Sequence, residues 1–132
     1  MRRVSNECRE RSVIPPMVFD ESLFMARLEG DESLGRDIIK TFLAECPSLL
    51  ERVRQAARQR DAVTLERAAH ALKGSLGDIA APPAFDAAQA LEQIGREGDL
   101  DGSEEALVNL EESLHQLERQ LRHVGDSIRS DA

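Results

Sequence analysis

RAAHALKGSLGDIAA, residues 67–81, combines a helical apolar stripe with a histidine lying just off it. Counting back one turn, apolar residues recur at Leu65, Ala69, Leu72, Leu76 and Ile79. Steps of three and four put them on one buried face of a helix. His70 is one residue off that stripe. A turn of about 100° per residue sends its ring to the rim with Glu66, Arg67, Lys73 and Gly74, its neighbours three and four positions away. Gly77 falls two turns further on the same side. Glycine inside a helix costs roughly 1 kcal/mol relative to alanine, so two beside one histidine call for a reason. Bare backbone would let a second macromolecule approach the imidazole, and Lys73 sets a cation where a phosphate on the ring would lie. Alternatively, Gly74 and Gly77 let helices pack closely within the fold.

The rest of the chain supplies partners for this helix. Residues 1–16 are charged, poor in apolar groups and closed by Pro15 and Pro16, and are expected to be a disordered tail. Phe19–Leu28 is a short amphipathic helix with Asp20 as N-cap, Phe19, Leu23, Phe24 and Leu28 facing inward, and Gly30 at its end. A longer helix starts near Ser33 or Leu34 and carries Ile38, Ile39, Phe42, Leu43, Cys46, Leu49, Leu50, Val53, Ala56 and Ala57. Its apolar phase continues across Pro47, which predicts one helix bent near Ala44 and not two. Asp61 caps the helix of His70, which must stop before Pro82 and Pro83. Those prolines suit the first turn of a fourth helix striped by Phe85, Ala88, Leu91 and Ile94. Gly95–Gly102 is read as a turn, with Asp101 or Ser103 capping a last helix that carries Leu107, Leu110, Leu114, Leu117, Leu121 and Val124.

No segment alternates with period two. The fold class is therefore all-α: an antiparallel up-down four-helix bundle over residues 17–125, with the short first helix capping one end and a flexible tail at 126–132. The last helix's seam is under four heptads long and packs within its own bundle, so a monomer is expected.

Composition bounds the function. The 132 residues carry a net charge of −8 and no Trp or Tyr, which argues against nucleic acid, because backbone binding needs a basic face and base stacking needs aromatics. No run of 18 apolar residues could cross a membrane, and Arg2 and Arg3 precede no apolar segment, so a cytoplasmic location is expected. Cys8 and Cys46 are too few for a disulfide framework or a zinc site. Between Glu51 and Lys73, six basic residues face three acidic ones, which suggests an acidic partner surface beside His70 or else the solvated faces of two helices. Glu112 and His115 have the E-x-x-H spacing of di-iron bundles but lack the second pair such a site needs. His123 lies near the chain end as surface. There is no P-loop, no G-x-S-x-G elbow, and KGS at 73–75 has the wrong order for a Walker lysine.

His70, Ala71, Leu72, Lys73, Gly74 and Ser75, with Gly77 beyond, resemble the histidine-containing phosphotransfer (HPt) family, whose signature looks like H-x-L-K-G-S. The resemblance extends from about Phe19 to Val124, with Ala80 where the family often has a glycine and Asp78 where asparagine is more usual. It implies that His70 accepts a phosphoryl group, that Lys73 assists electrostatically, and that Glu66, Arg67, Gly74, Ser75 and Gly77 face the partner. It further implies a two-component multistep phosphorelay, in which response-regulator receiver domains, including that of a hybrid histidine kinase, are the partners. An aspartyl phosphate is an activated acyl phosphate, so a neutral imidazole in line can take its phosphoryl group without a base. An exposed imidazole titrates near pH 6.5, so most of it has a free ring nitrogen at pH 7. Mg²⁺ would sit in the receiver, leaving this chain with no cofactor, no metal and no kinase activity. The competing reading is an adaptor that binds a signalling partner on the same face and is never phosphorylated.

Overall fold

The computed structural model describes residues 17–131, with side chains as far as Val124; residues 1–16, including Cys8 and the expected tail, lie outside them. Its elements are α1 (Glu21–Arg27), α2 (Glu32–Arg58), α3 (Ala62–Asp78), α4 (Pro82–Glu97), a 3₁₀ turn (Leu100–Gly102) and α5 (Ser103–Asp131). Three successive helices begin the same way. The carboxylates of Asp20, Asp31 and Asp61 accept from the amides of Leu23, Leu34 and Thr64, each satisfying a donor that the first turn leaves open. α2 remains one element through Pro47, in line with the unbroken apolar phase. Pro82 and Pro83 occupy the first turn of α4, where a missing amide hydrogen is harmless.

α3 packs against α2 and α4, α4 against α5, and α5 against α2, which closes an antiparallel four-helix ring. Leu65, Leu72, Leu76, Leu91, Leu110, Leu117 and Leu121 fill its middle and are essentially inaccessible to water. α1 lies across one end. Asp20 N–H donates to the Ala80 carbonyl at 2.8 Å, and Arg27 Nη1 donates to the Gly77 carbonyl at 2.7 Å, so α1 is tied to the C-terminal end of α3. Cys46 is buried in α2, and desolvation pushes its thiol up to about 11, leaving it neutral.

Three sequence expectations need correction. Leu23 is 42% exposed, because seven residues of helix laid on a bundle end bury one side only, which Phe24 and the preceding Phe19 occupy. The second helix starts earlier than Ser33, on the Asp31 cap. α5 has helical backbone to Asp131. Gly95 does not open a turn: α4 continues to Glu97 and closes on Gly98, whose φ of +81° is the left-handed conformation that glycine adopts freely. Ala80 stands in a similar conformation after α3, with φ +59°, which is why a glycine would be at home there.

Gly95 is held inside α4 by its neighbour. A Cβ there would lie 2.7 Å from the Glu66 amide nitrogen and 2.8 Å from the Ala62 carbonyl oxygen, both backbone atoms of α3. With Ala84 and Ala88 also buried on this face, α3 and α4 meet almost backbone to backbone. Gly95→Ala must push them apart and should destabilise the fold by about 1–3 kcal/mol. A urea titration checks this, and an unchanged midpoint would mean that the contact is looser than described.

Candidate functional site

Around α3, each residue adds about 100°, so the neighbours of His70 divide between two flanks. Glu66 and Lys73 lie on the side of α4. Gly74, Asp78, Ala71 and Ser75 follow in that order toward α2. The His70 side chain is 66% exposed on the ridge between them.

On the α4 side the imidazole meets a carboxylate. His70 Nδ1 donates to Glu92 Oε2 at 2.8 Å, while the Glu92 side chain is only 5% exposed. Lys73 Nζ takes the other oxygen, Oε1, at 2.5 Å, and Arg96 Nη2 reaches Oε2 at 3.2 Å. Arg96 also donates from Nε to Glu66 Oε2 at 3.1 Å, which brings Glu66 into the same network. Lys73, through its hydrogen bond above all, and then His70 hold the Glu92 carboxyl below its ordinary 4.5 against a desolvation that pushes the other way. An ionised carboxylate can only accept, so Nδ1 carries a proton, and in the neutral ring this leaves the lone pair on Nε2. Lys73 is itself partly enclosed, its ammonium 5.9 Å from the centre of the Phe85 ring.

Gly74 is open: a Cβ there would meet nothing within 4 Å. Gly77 is different. Its missing Cβ would sit 3.4 Å from Phe85 Cε2, and its carbonyl accepts from Arg27, so this glycine, half-buried, also lies in packing contact with α4 and α1. Arg67 is exposed beside the ring, and Ser75 is half-buried on the α2 flank. There Asp37, Ile38, Thr41, Phe42, Glu45, Ser75, Asp78 and Ile79 line a groove of about 250 Å³. Its rim is acidic. Two of the arginines that suggested a basic quarter point elsewhere: Arg54 pairs with Glu111 on α5 at 2.6 Å, and Arg60 with Asp101 in the 3₁₀ turn at 3.4 Å. Glu112 and His115 are exposed, and no cluster of three or more His, Cys, Asp or Glu able to hold a metal occurs among the described residues. No helix among them is long and apolar enough to cross a membrane.

The family model of the Hpt domain matches residues 37–120, which span all four bundle helices. The chain belongs to the Hpt domain family. That makes it a carrier of histidine phosphotransfer in phosphorelays, not a kinase. Among solved structures it is similar to histidine-containing phosphotransfer protein B (HptB) from Pseudomonas aeruginosa PAO1, at 18% identity and a TM-score of 0.79, over 86% of this chain and 98% of that one. It is also similar to the HPT domain of the Hpt sensor hybrid histidine kinase from Shewanella, at 19% identity and a TM-score of 0.73, over 83% of this chain and 95% of that one. No curated protein matches it. At such identities the structures establish the four-helix fold of this Hpt domain, and receiver domains are the class of partner its family serves.

Glu92 is the residue that sequence reasoning missed. Ala84, Ala88, Leu91, Glu92 and Gly95 are the buried positions of α4, whereas Phe85 and Ile94, taken from hydropathy, are half-buried. The available signal was a run of small residues at helical spacing with a glutamate in phase with them. Because its folded pKa is lowered, Glu92 adds stability that is complete above the ordinary 4.5 and fades as pH falls through its folded value. The difference in unfolding free energy between the native protein and Glu92→Gln should therefore shrink between pH 6 and pH 3 in urea titrations. A constant difference would mean that the carboxylate is not ionised in the fold.

Proposed function

We propose that His70 Nε2 accepts a phosphoryl group from the phospho-aspartate of one receiver domain and passes it to the aspartate of another. The observation that supports this most directly is the pairing of His70 Nδ1 with a nearly buried Glu92 carboxylate while the rest of the ring stands two-thirds exposed beside an open Gly74. Fixing the proton on Nδ1 gives Nε2 a lone pair without any base having to act first. Rotation of the ring is restrained by the same bond, so the receiver's phosphoryl group meets a nucleophile already aimed outward.

A receiver's active-site mouth must settle over the ridge. Gly74 and the exposed methyl of Ala71 offer a low surface next to His70, over which a partner's loops can pass. The acidic groove between α2 and α3 is the adjoining relief, with Ile38 and Phe42 at its floor, Asp37, Glu45 and Asp78 at its rim, and Leu34 exposed one turn below Ile38. Such a groove suits a receiver helix with an apolar stripe bordered by lysine or arginine. The receiver brings Mg²⁺ with its own phospho-aspartate pocket.

His70→Gln should fold normally and take no label from a radiolabelled receiver domain, measured by gel autoradiography; label surviving at full level would remove His70 from the role. Gly74→Ala should stabilise the helix by roughly 0.5–1 kcal/mol, since the added methyl meets nothing. Gly74→Leu should leave the fold intact and slow transfer severalfold.

The double charge reversal Glu45→Lys, Asp78→Lys should lower the second-order rate constant of transfer from a receiver and reverse its dependence on salt. Labelling by the small donor phosphoramidate should be unaffected. Equal loss with both donors would place these carboxylates in the chemistry and not in docking.

A further inference from the structure

On the assignment of His70 as acceptor, the hydrogen bond between Nδ1 and Glu92 has a consequence for the phosphorylated state as well as for the free one. Transfer forms an Nε2–P bond with the ring's lone pair and breaks the P–O bond of the aspartyl phosphate, whose electrons leave on the receiver's carboxylate. No proton moves. The ring still carries hydrogen on Nδ1, so the first product is a phospho-imidazolium. In free phosphohistidine that proton is readily given up, and the neutral ring left behind holds its phosphoryl group firmly, because the leaving group would then be an imidazolate. Here the proton lies against an oxygen that can only accept.

The charged groups around the ring come from the two helices that carry it: Glu66, Arg67 and Lys73 on α3, and Glu92 and Arg96 on α4. Lys73 and Arg96 are bound to Glu92 and hold it ionised; Arg96 is shared with Glu66. A carboxylate has about four lone-pair positions, so three donors fit on it without displacing Nδ1. We propose that Glu92 acts as a positioning residue that keeps Nδ1 of phospho-His70 protonated, so that the phosphoryl group sits on a neutral-imidazole leaving group and the chain passes it on quickly in place of storing it. A glutamine at position 92 would not enforce this, because its amide can turn to donate to an unprotonated Nδ1 as readily as to accept from a protonated one.

The test is the pH profile of phosphohistidine loss. The full-length protein and Glu92→Gln are phosphorylated with phosphoramidate, the site is identified by acid-labile label absent from His70→Gln, and the decay of label is followed from pH 6 to pH 9.5. An opposite charge in contact raises the pKa of a cation by on the order of one unit or more, so the native protein should become stable to hydrolysis at a pH at least about one unit higher than Glu92→Gln, and should lose label about tenfold faster where only the native ring is protonated. Transfer to an unphosphorylated receiver should slow in the variant over the same pH range. Nitrogen-15 NMR of the phosphorylated native protein at pH 8 gives a readout independent of any variant: Nδ1 should show a bound hydrogen. Coincident decay profiles, or a bare Nδ1 at pH 8, would overturn the proposal while leaving His70 as acceptor. No acid-labile label at His70 would instead defeat the relay reading itself, and this inference with it.

Discussion

A carboxylate withdrawn from water must be compensated on the spot, and Glu92 is the place where this protein meets that requirement. The effective penalty for burying such an ion is several kcal/mol, and only close, well-directed partners offset it. Lys73 Nζ, His70 Nδ1 and Arg96 Nη2 all converge on its two oxygens. The convergence is possible because α3 and α4 approach so closely at Gly95, three residues from Glu92 on the same face, that no side chain fits between the backbones. Helix packing thus sets the ring of His70 and the ammonium of Lys73 indirectly. The small residues bring the helices together, the nearness puts the carboxylate within reach, and the carboxylate orients the groups around it.

This arrangement separates two tasks around the circumference of α3. Toward α4, the side chains are committed to one another: Lys73 is wedged between Glu92 and the face of Phe85, and Gly77 is covered by the edge of that same ring. Toward α2, the surface is open and acidic, with Asp78 and Ser75 across a groove from Asp37, Thr41 and Glu45. His70 and Gly74 lie where these regions meet. A partner recognised on the α2 side therefore has its chemistry delivered on the crest, without disturbing the packed network behind the ring.

The bundle could be read from the sequence wherever a single helix carried the information. Apolar spacing gave the helices, aspartates gave two of the three caps, and the proline pair after Ala81 separated α3 from α4. An unbroken stripe across Pro47 correctly kept α2 whole, since burial of Cys46, Val53 and Ala56 on the same face outweighs one lost hydrogen bond. What could not be read was whatever depends on a second helix. A glutamate counts as solvent-facing in any hydropathy pattern, so Glu92 becomes visible only when α3 is in place beside it. Gly77 shares its helical face with His70, yet the chain reverses at Ala80 and Ala81 and lays Phe85 over it. Arg54 and Arg60 looked like part of a basic flank for His70 because they are near it in sequence; α5 and the 3₁₀ turn supply carboxylates that draw them aside.

Lys73 shows how far the network alters an expectation drawn from one helix. Viewed alone on α3, it is a free cation one turn from the histidine and ready to attract phosphate. In the folded protein its charge is already matched by Glu92, and that of Arg96 is divided between Glu92 and Glu66. The two cations and two carboxylates behind the ring thus largely cancel one another before any phosphate arrives. A phosphoryl group then adds close to two negative charges, more than the exposed Arg67 beside the ring can balance alone. The one positive charge that appears at the same moment, and at the right distance, is that of the imidazolium itself. Electroneutrality therefore points the same way as the hydrogen bond: a phosphorylated ring on this surface is most stable when Nδ1 keeps its proton, and that protonation is also what lets the phosphoryl group leave.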